Sequence, residues 1–319
     1  MDNASLDWSR LPREETDCIL CGPASYEILS VQDGWPVVRC TDCGLVYLRE
    51  RPSEAAVAEM YGKSYYDNGD VGYSGYVDTF RRYRGIFLEI FEKRHRDLSE
   101  YATGNRLLEV GCAHGFLLDF LRGKGWRVTG VDVSPLSSEY ARRELGLDVH
   151  TGSVEDLDAP EGTFDVILLL DVLEHLHRPF DVLSKLRMLL APGGILVVQC
   201  PWELYHWEKA ASAILQGKKP GTIRPDAVPA HLYFFGPRTL DRVIMRGGFT
   251  IKHRQSGNYG AVKGRMNPPA IKTGNPFSTA LRFVYFRMGV RKMLYGISRR
   301  LYLGNGLIRY ATPVEDPPR

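Results

Sequence analysis

The chain has no long hydrophobic run. Its most apolar stretch, Val166 to Leu170, stops at Asp171, far short of the roughly 20 residues that a membrane-spanning helix needs. The opening residues, Met1 to Arg10, lack the basic start and apolar segment of a secretory signal, and the expected location is cytoplasmic. Charge of one sign is also scarce. Lys and Arg number 41 against 38 Asp and Glu, a net +3, which is small for a polyanion-binding surface, so no nucleic-acid partner is expected. No biased tract points to disorder or a fibre. With 44% apolar and 25% charged residues the 319-residue chain has ordinary globular composition, and its length suits one main domain with appended pieces.

Cysteines are few, six in all, and four of them form two tight pairs. Cys18 and Cys21 make one CxxC, Cys40 and Cys43 a second, and 18 residues separate them. In a reducing compartment such pairs favour metal over disulfides. Two-residue spacing lets both sulfurs of a turn reach one tetrahedral ion, and Gly22 and Gly44 follow each pair where a knuckle turns. Four protein ligands leave no open position, so the expected ion is a structural zinc. Ile28–Val31, Trp35–Val38 and Leu45–Tyr47 read as short strands. Residues 1–52 are therefore expected to form a zinc ribbon. A connector over 53–103 follows, with Tyr61, Tyr65, Tyr66, Tyr73 and Tyr76 among glycines, a composition suited to a loop or lid. Phe80, Tyr83, Phe87, Ile90 and Phe91 then recur at the spacing of one amphipathic helix.

From 104 to 319 the pattern is that of an α/β domain with insertions at 201–229 and 256–304. Arg106–Val110 reads as a buried strand running into Glu109-Val110-Gly111-Cys112-Ala113-His114-Gly115 and a helix from Phe116 to Lys124. A second strand, Trp126–Val131, ends in Asp132, about 20 residues past the glycine turn, where nucleotide-binding folds place the carboxylate that accepts ribose hydroxyls. A helix over Pro135–Leu145 starts with Ser134 as N-cap and proline at its first position. A dinucleotide fingerprint needs glycine at 113 and 116, where this chain has Ala and Phe, so NAD is disfavoured.

The GxxxG turn instead resembles the first motif of class I S-adenosylmethionine (SAM) methyltransferases. Later elements extend the resemblance through most of 106–255: Gly152-Ser153-Val154 after a short third strand, the strand Phe164–Leu170 with Asp171-Val172-Leu173-Glu174-His175 after it, and the Pro192-Gly193-Gly194 turn. Strands over Ile195–Gln199 and Phe249–His253, a helix over Pro237–Arg246 and a last antiparallel strand at Leu307–Ala311 complete the order. The resemblance implies a Rossmann-like, seven-stranded sheet flanked by helices. It further implies SAM contacts from Glu109, Gly111, Cys112, Ala113, Gly115, Asp132, Val133, Ser153, Val154 and Leu170. Family members often have glycine where this chain has Ala113, whose methyl group implies a conformation that is not strongly left-handed. Ser153 stands where an acidic residue commonly meets the adenine amine.

Methyl transfer from a sulfonium is an in-line displacement, in which the protein positions the nucleophile and removes its proton. His175 and His231, the latter in Pro229-Ala230-His231-Leu232-Tyr233-Phe234, fall at the carboxyl-end rim where such sheets bind ligands. They are the candidate bases, with helix capping or packing as the plain alternative. The ribbon, the tyrosine-rich connector and the two histidines together resemble zinc-containing sugar C-methyltransferases and relatives acting on hydroxylated metabolites. Ala230, where those enzymes have glutamate, favours O-methylation of a sugar-type or other hydroxylated small molecule. Asp171, Glu174 and His175 also resemble quinone-type O-methyltransferases that hold a divalent cation. A non-catalytic ribbon protein is opposed by the intact Glu109 and Asp132, and no Asn/Asp-Pro-Pro-aromatic tetrapeptide points to RNA. Trp202, Tyr205, His206 and Trp207 suit a cover for the acceptor. Arg282, Arg287, Arg291, Lys292, Arg299 and Arg300 within 277–303 fit a docked helix, with peripheral membrane contact as the less favoured alternative.

Overall fold

The computed structural model describes residues 11–60, 75–202, 227–257 and 306–314. Met1 to Arg10, Tyr61, Tyr65, Tyr66, Tyr73, Tyr205, His206, Trp207 and the basic stretch 277–303 lie outside the described residues. The N-terminal part consists of β1 (Arg13–Glu15), β2 (Tyr26–Gln32), β3 (Trp35–Cys40), β4 (Val46–Leu48), β5 (Glu50–Pro52) and α1 (Glu54–Met60). β2 turns into β3 through Asp33 and Gly34, both at positive φ, and Trp35, Val37 and Leu48 are fully buried.

Two helices follow, α2 (Tyr76–Arg82) and α3 (Arg84–Tyr101). The single amphipathic helix expected here is interrupted at Tyr83, whose φ of −114° and ψ of 23° leave the helical region. Then come β6 (Arg106–Val110), α4 (Phe116–Arg122), β7 (Arg127–Asp132), α5 (Pro135–Leu145), β8 (Val149–Thr151), β9 (Phe164–Leu170), α6 (Pro179–Leu189), β10 (Leu190–Pro201), β11 (Tyr233–Phe234), α7 (Pro237–Arg246), β12 (Phe249–Gly257) and β13 (Gly306–Pro313). The caps of α5 are those its sequence implies: the Ser134 hydroxyl accepts from Ser137 N, Pro135 leads the helix, and Gly146 ends it in a left-handed conformation.

Seven strands form one mixed sheet in the order β12-β13-β10-β9-β6-β7-β8. β8, β7, β6, β9 and β10 run parallel, and β13 is inserted antiparallel between β10 and β12. Helices cover the central strands, which accordingly read as near-continuous apolar runs; Val166 to Leu169 on β9 and Leu196 to Val198 on β10 are fully buried. The Pro192-Gly193-Gly194 turn sits within β10 as an irregularity between Leu190 and Ile195. At the opposite edge of the chemistry, Asp165 ties β9 to β6: its carboxylate accepts from Arg106 N (2.9 Å), Nε (3.0 Å) and Nη2 (2.7 Å).

The N-terminal strands are joined to the rest of the chain by strand pairing. β11 adds to β4, giving a second sheet in the order β11-β4-β3-β2, with Tyr233 opposite Tyr47 and Phe234 opposite Val46. Ribbon residues such as Trp35 and Tyr47 share a hydrophobic core with Tyr233, Phe235 and Leu240.

Candidate active site

Parallel strands β6, β7 and β9 end at one rim, and the turns after them build the site. Behind β6, Gly111 has φ +73°, and a Cβ there would lie 2.4 Å from Val172 Cγ2, so only glycine fits. Gly115 opens α4 at φ +77°, with Leu147 Cδ1 2.5 Å from an added Cβ. Gly111 N and Cys112 N both donate to Val131 O, at 2.8 and 3.2 Å, which locks the turn to β7. Ala113 corrects the expectation drawn from its side chain: its φ is +48°, left-handed. The compensation is a 2.7 Å bond from Ala113 N to Asp132 Oδ2, which offsets the strain of a Cβ in that region.

Asp132 is buried at the end of β7, and its other oxygen accepts from Ser134 N at 2.9 Å. Each carboxylate oxygen retains a second lone-pair site, the capacity a ribose diol requires. Burial raises its pKa, opposed by the Ser134 and Ala113 bonds. Val133, next in line, is 52% exposed, an apolar surface available to a flat base. Val154 and Cys112 are buried, and Leu170 is half-buried at the end of β9. The Ser153 hydroxyl is engaged locally, accepting from Glu155 N and donating to the Glu155 carboxylate.

Glu109 is buried, and its Oε2 has no hydrogen-bond partner among the described residues. Burial pushes its pKa up to about 8, against the pull of Arg94 and with some help from Asp132. A cationic group placed at that orphaned oxygen satisfies it. Two left-handed glycines, a buried ribose-type carboxylate and this unpaired acid together fit SAM, whose methionine end carries an ammonium. Tyr76, at the start of α2, stacks on Phe116 at 5.6 Å and lies 5.4 Å from the His114 ring. Burial and the negative Glu109 and Asp132 raise its hydroxyl well above the usual phenol range, so this tyrosine stands beside the carboxylate pair.

A second group of polar side chains lies beyond β9. Asp171 has φ +55° and its N donates to Gln199 O at 2.8 Å. A 3-10 turn over Leu173–His175 follows. His175 Nδ1 faces Ala230 O at 2.8 Å. A carbonyl only accepts, so the neutral ring carries its proton on Nδ1 and offers Nε2 as the basic nitrogen. His231 meets it edge to face, ring centroids 4.6 Å apart. Glu174 is 1% exposed. Neither of its carboxyl oxygens has a hydrogen-bond partner of ordinary geometry among the described residues. Its pKa is pushed up to about 8 by burial first and Asp171 second, with His231 pulling it down. Ligand atoms of Glu174, His175 and His231 lie within 4.8 Å of one another. Asp171 is not in that group, its carboxylate accepting from Gln199 Nε2 at 3.2 Å.

Sequence reasoning missed the link between the halves. Arg94, buried on α3, donates to Gln199 Oε1, and Gln199 in turn holds Asp171. The signal was present, because Arg94 falls on the same helical stripe as the buried Phe91 and Leu98.

Far from the rim in sequence, the four cysteines converge. Gly22 N donates to Cys18 O (2.7 Å) and Gly44 N to Cys40 O (2.9 Å), closing two matching knuckles, both glycines left-handed. Leu45 N points to Cys43 Sγ at 3.4 Å, Cys18 and Cys43 sulfurs are 3.4 Å apart, and all four sulfurs lie within 4.8 Å of one another. A tetrahedral zinc with bonds of about 2.3 Å requires sulfurs about 3.8 Å apart, so the residues present fit that ion. Among the described residues no helix is long and apolar enough to cross a membrane.

A family model described as "Methyltransferase domain" matches residues 79–254. The chain is 35% identical over 119 residues to the mitochondrial ubiquinone biosynthesis O-methyltransferase of Schizosaccharomyces pombe, covering 34% of this chain and 41% of the relative. The enzyme of the same name from Cereibacter sphaeroides is 38% identical over 109 residues, 32% of this chain and 44% of the relative. That from Nitrosococcus oceani is 30% identical over 164 residues, 49% and 68% respectively. The chain thus spans less than half of the first two relatives. The family match takes in the glycine turn, both carboxylate strand ends and both rim histidines, and since it runs through more than half of the sequence the chain belongs to the methyltransferase-domain family.

Proposed function

We propose that the chain transfers the methyl group of SAM to a hydroxyl of a small-molecule acceptor, with His231 as the base. The supporting observation is the histidine pair, 4.6 Å apart beyond the end of β9, at the same carboxyl end of the parallel strands as the glycine turn and Asp132. SAM supplies an electrophilic methyl on a sulfonium. Asp132 accepts the ribose hydroxyls and Glu109 the ammonium, while Gly111, Cys112, Ala113, Gly115, Val133, Ser153, Val154 and Leu170 shape the remaining surface. His231 removes the acceptor hydroxyl proton. His175, oriented through Ala230 O, stands beside it. O-methylation agrees with the relatives being O-methyltransferases by name. The acceptor class we favour is a sugar or similar polyhydroxylated precursor, on the strength of the cysteine ribbon and the histidine motif. The four cysteines hold a structural zinc, and residues 1–52, 53–103 and 104–319 act as ribbon, connector and catalytic domain in a cytoplasmic enzyme.

Methyl-labelled SAM incubated with a panel of sugar nucleotides and catechol-type phenols tests this. Label in a base-stable ether of a sugar supports it; label in a carbon-bound methyl rejects O-methylation. The Glu174, His175 and His231 cluster favours a second reading, in which a divalent cation beside these residues lowers the pKa of the acceptor hydroxyl. Added Mg²⁺ or Mn²⁺ then raises turnover of zinc-loaded protein, whereas indifference to both supports the histidine alone.

A further inference from the structure

Both rim histidines sit on irregular backbone. His175 ends a single 3-10 turn, and His231 precedes a strand of two residues. Such segments drift unless something outside them fixes their position. The ties that fix them run to the cysteine ribbon. Leu48 N on β4 donates to Leu232 O at 3.0 Å, and Leu232 N donates to Glu174 O at 2.8 Å, so one residue bridges β4 to the turn that holds His175. Arg51 on β5 is the hub. Its side chain is only 10% exposed; Nη1 donates to Tyr233 Oη at 3.0 Å and to His177 O at 3.3 Å, while Nε is held by Glu14 at 2.8 Å. His177 Nε2 returns the contact by donating to Pro52 O at 2.8 Å. Arg246 on α7 reaches the first knuckle, donating to Ile19 O at 3.1 Å and Leu20 O at 2.8 Å.

The cofactor half is fixed differently. The backbone N–H groups of Gly111, Cys112 and Ala113 donate to Val131 and Asp132 of β7, within the main sheet. The two halves of one site are thus held by different backbone ties, with Arg94 and Gln199 linking them.

We propose that the cysteine ribbon is a structural part of the acceptor half, and that Arg51 is a positioning residue which, through Tyr233 and His177, holds the His175 and His231 loops in register. The hydrogen bonds of Arg51 go to Glu14, Tyr233 and His177, not to either rim histidine. Its charge is needed because a neutral side chain cannot satisfy Glu14, Tyr233 and His177 O together, and a charge-assisted bond between two loops contributes more than a neutral one. A displacement of about 1 Å between base and substrate is enough to cost on the order of 10²-fold in rate. The inference rests on the histidine pair being the acceptor-side base, but its test does not require that role.

Arg51→Met keeps the bulk of the side chain and removes its charge; Tyr233→Phe removes one oxygen and serves if the first variant does not fold. In zinc-loaded protein, amide hydrogen exchange is followed at Leu232 and His175, and at Gly111 and Gly130, together with the nuclear Overhauser cross-peak between the two imidazole rings and the affinity for S-adenosylhomocysteine by calorimetry. The expected result is exchange about tenfold or more faster at Leu232 and His175, a cross-peak severalfold weaker, unchanged exchange at Gly111 and Gly130, and homocysteine-adduct affinity within about twofold of wild type. Equal acceleration in both halves overturns the proposal, as does an unchanged cross-peak in a folded variant. If the clamp passes while His231→Gln retains turnover, the base assignment fails and the clamp stands.

Discussion

Glu109 makes the affinity for SAM depend on pH. Burial raises this carboxyl from 4.5 to about 8, so at pH 7, before a cation binds, about nine molecules in ten hold its proton. A bound ammonium favours the carboxylate and lowers the pKa, so binding releases that proton. Affinity therefore rises with pH, by about tenfold per unit, between the bound-state pKa and about 8. At pH 7 the protonated fraction weakens binding roughly tenfold relative to the ionised form, about 1.4 kcal/mol. The α-amino group of the ligand itself titrates near 7.7–8.0, so the clean window is about pH 5.5–7.5. Calorimetry with S-adenosylhomocysteine in buffers of different ionisation enthalpy should count about 0.9 proton released at pH 7. Glu109→Gln should abolish most of that release and flatten the pH dependence. A wild-type affinity that stays constant from pH 5.5 to 7.5 refutes the reasoning. The same shift gives the protein, before a cation binds, a stability that is full below the ordinary 4.5 and declines as pH rises through about 8, Glu174 adding with the same sign.

Asp132→Ala removes the two lone pairs offered to the ribose and the bond that holds left-handed Ala113; SAM affinity measured by calorimetry should fall about tenfold or more with the fold retained. Cys40→Ser opens the thiolate cluster, so metal analysis should show less than one zinc per chain and thermal unfolding should occur earlier, with SAM affinity little changed. Asp165 is held below the usual carboxylate range by the Arg106 guanidinium. Its contribution to stability is present above the ordinary 3.8 and lost as pH falls through the depressed value, so Asp165→Asn should lessen the acid sensitivity of denaturant unfolding below about pH 4.

Residues whose local pattern and tertiary role agree were legible in the sequence. Val166–Leu170 is an unbroken apolar run because β9 lies buried at the centre of the sheet, and α5 and α7 begin at the Ser134-Pro135 and Pro237 signals that mark helix starts. The convergence of the four cysteines and the position of Asp132 at the end of β7 were legible because chemistry fixes such spacings. What escaped depends on partners remote in the chain. Tyr233-Phe234 is too short to carry a period and becomes a strand only because β4 offers an edge. Ala113 is left-handed because Asp132, on another strand, accepts its N–H. Glu174 reads as a charged residue after a strand, yet it is buried beside Cys200 with its proton retained near neutral pH.

The central claim, methyl transfer to a hydroxyl with His231 as base, is tested most directly by single-turnover transfer from labelled SAM to whichever acceptor takes up label. His231→Gln, with His175→Gln beside it, should bind S-adenosylhomocysteine as wild type does and lose about 10²- to 10⁴-fold in rate at neutral pH, with the deficit shrinking at alkaline pH as the hydroxyl ionises unaided. A His231→Gln protein that turns over at near the wild-type rate at pH 7 contradicts the claim, and a loss confined to His175→Gln moves the role to that residue.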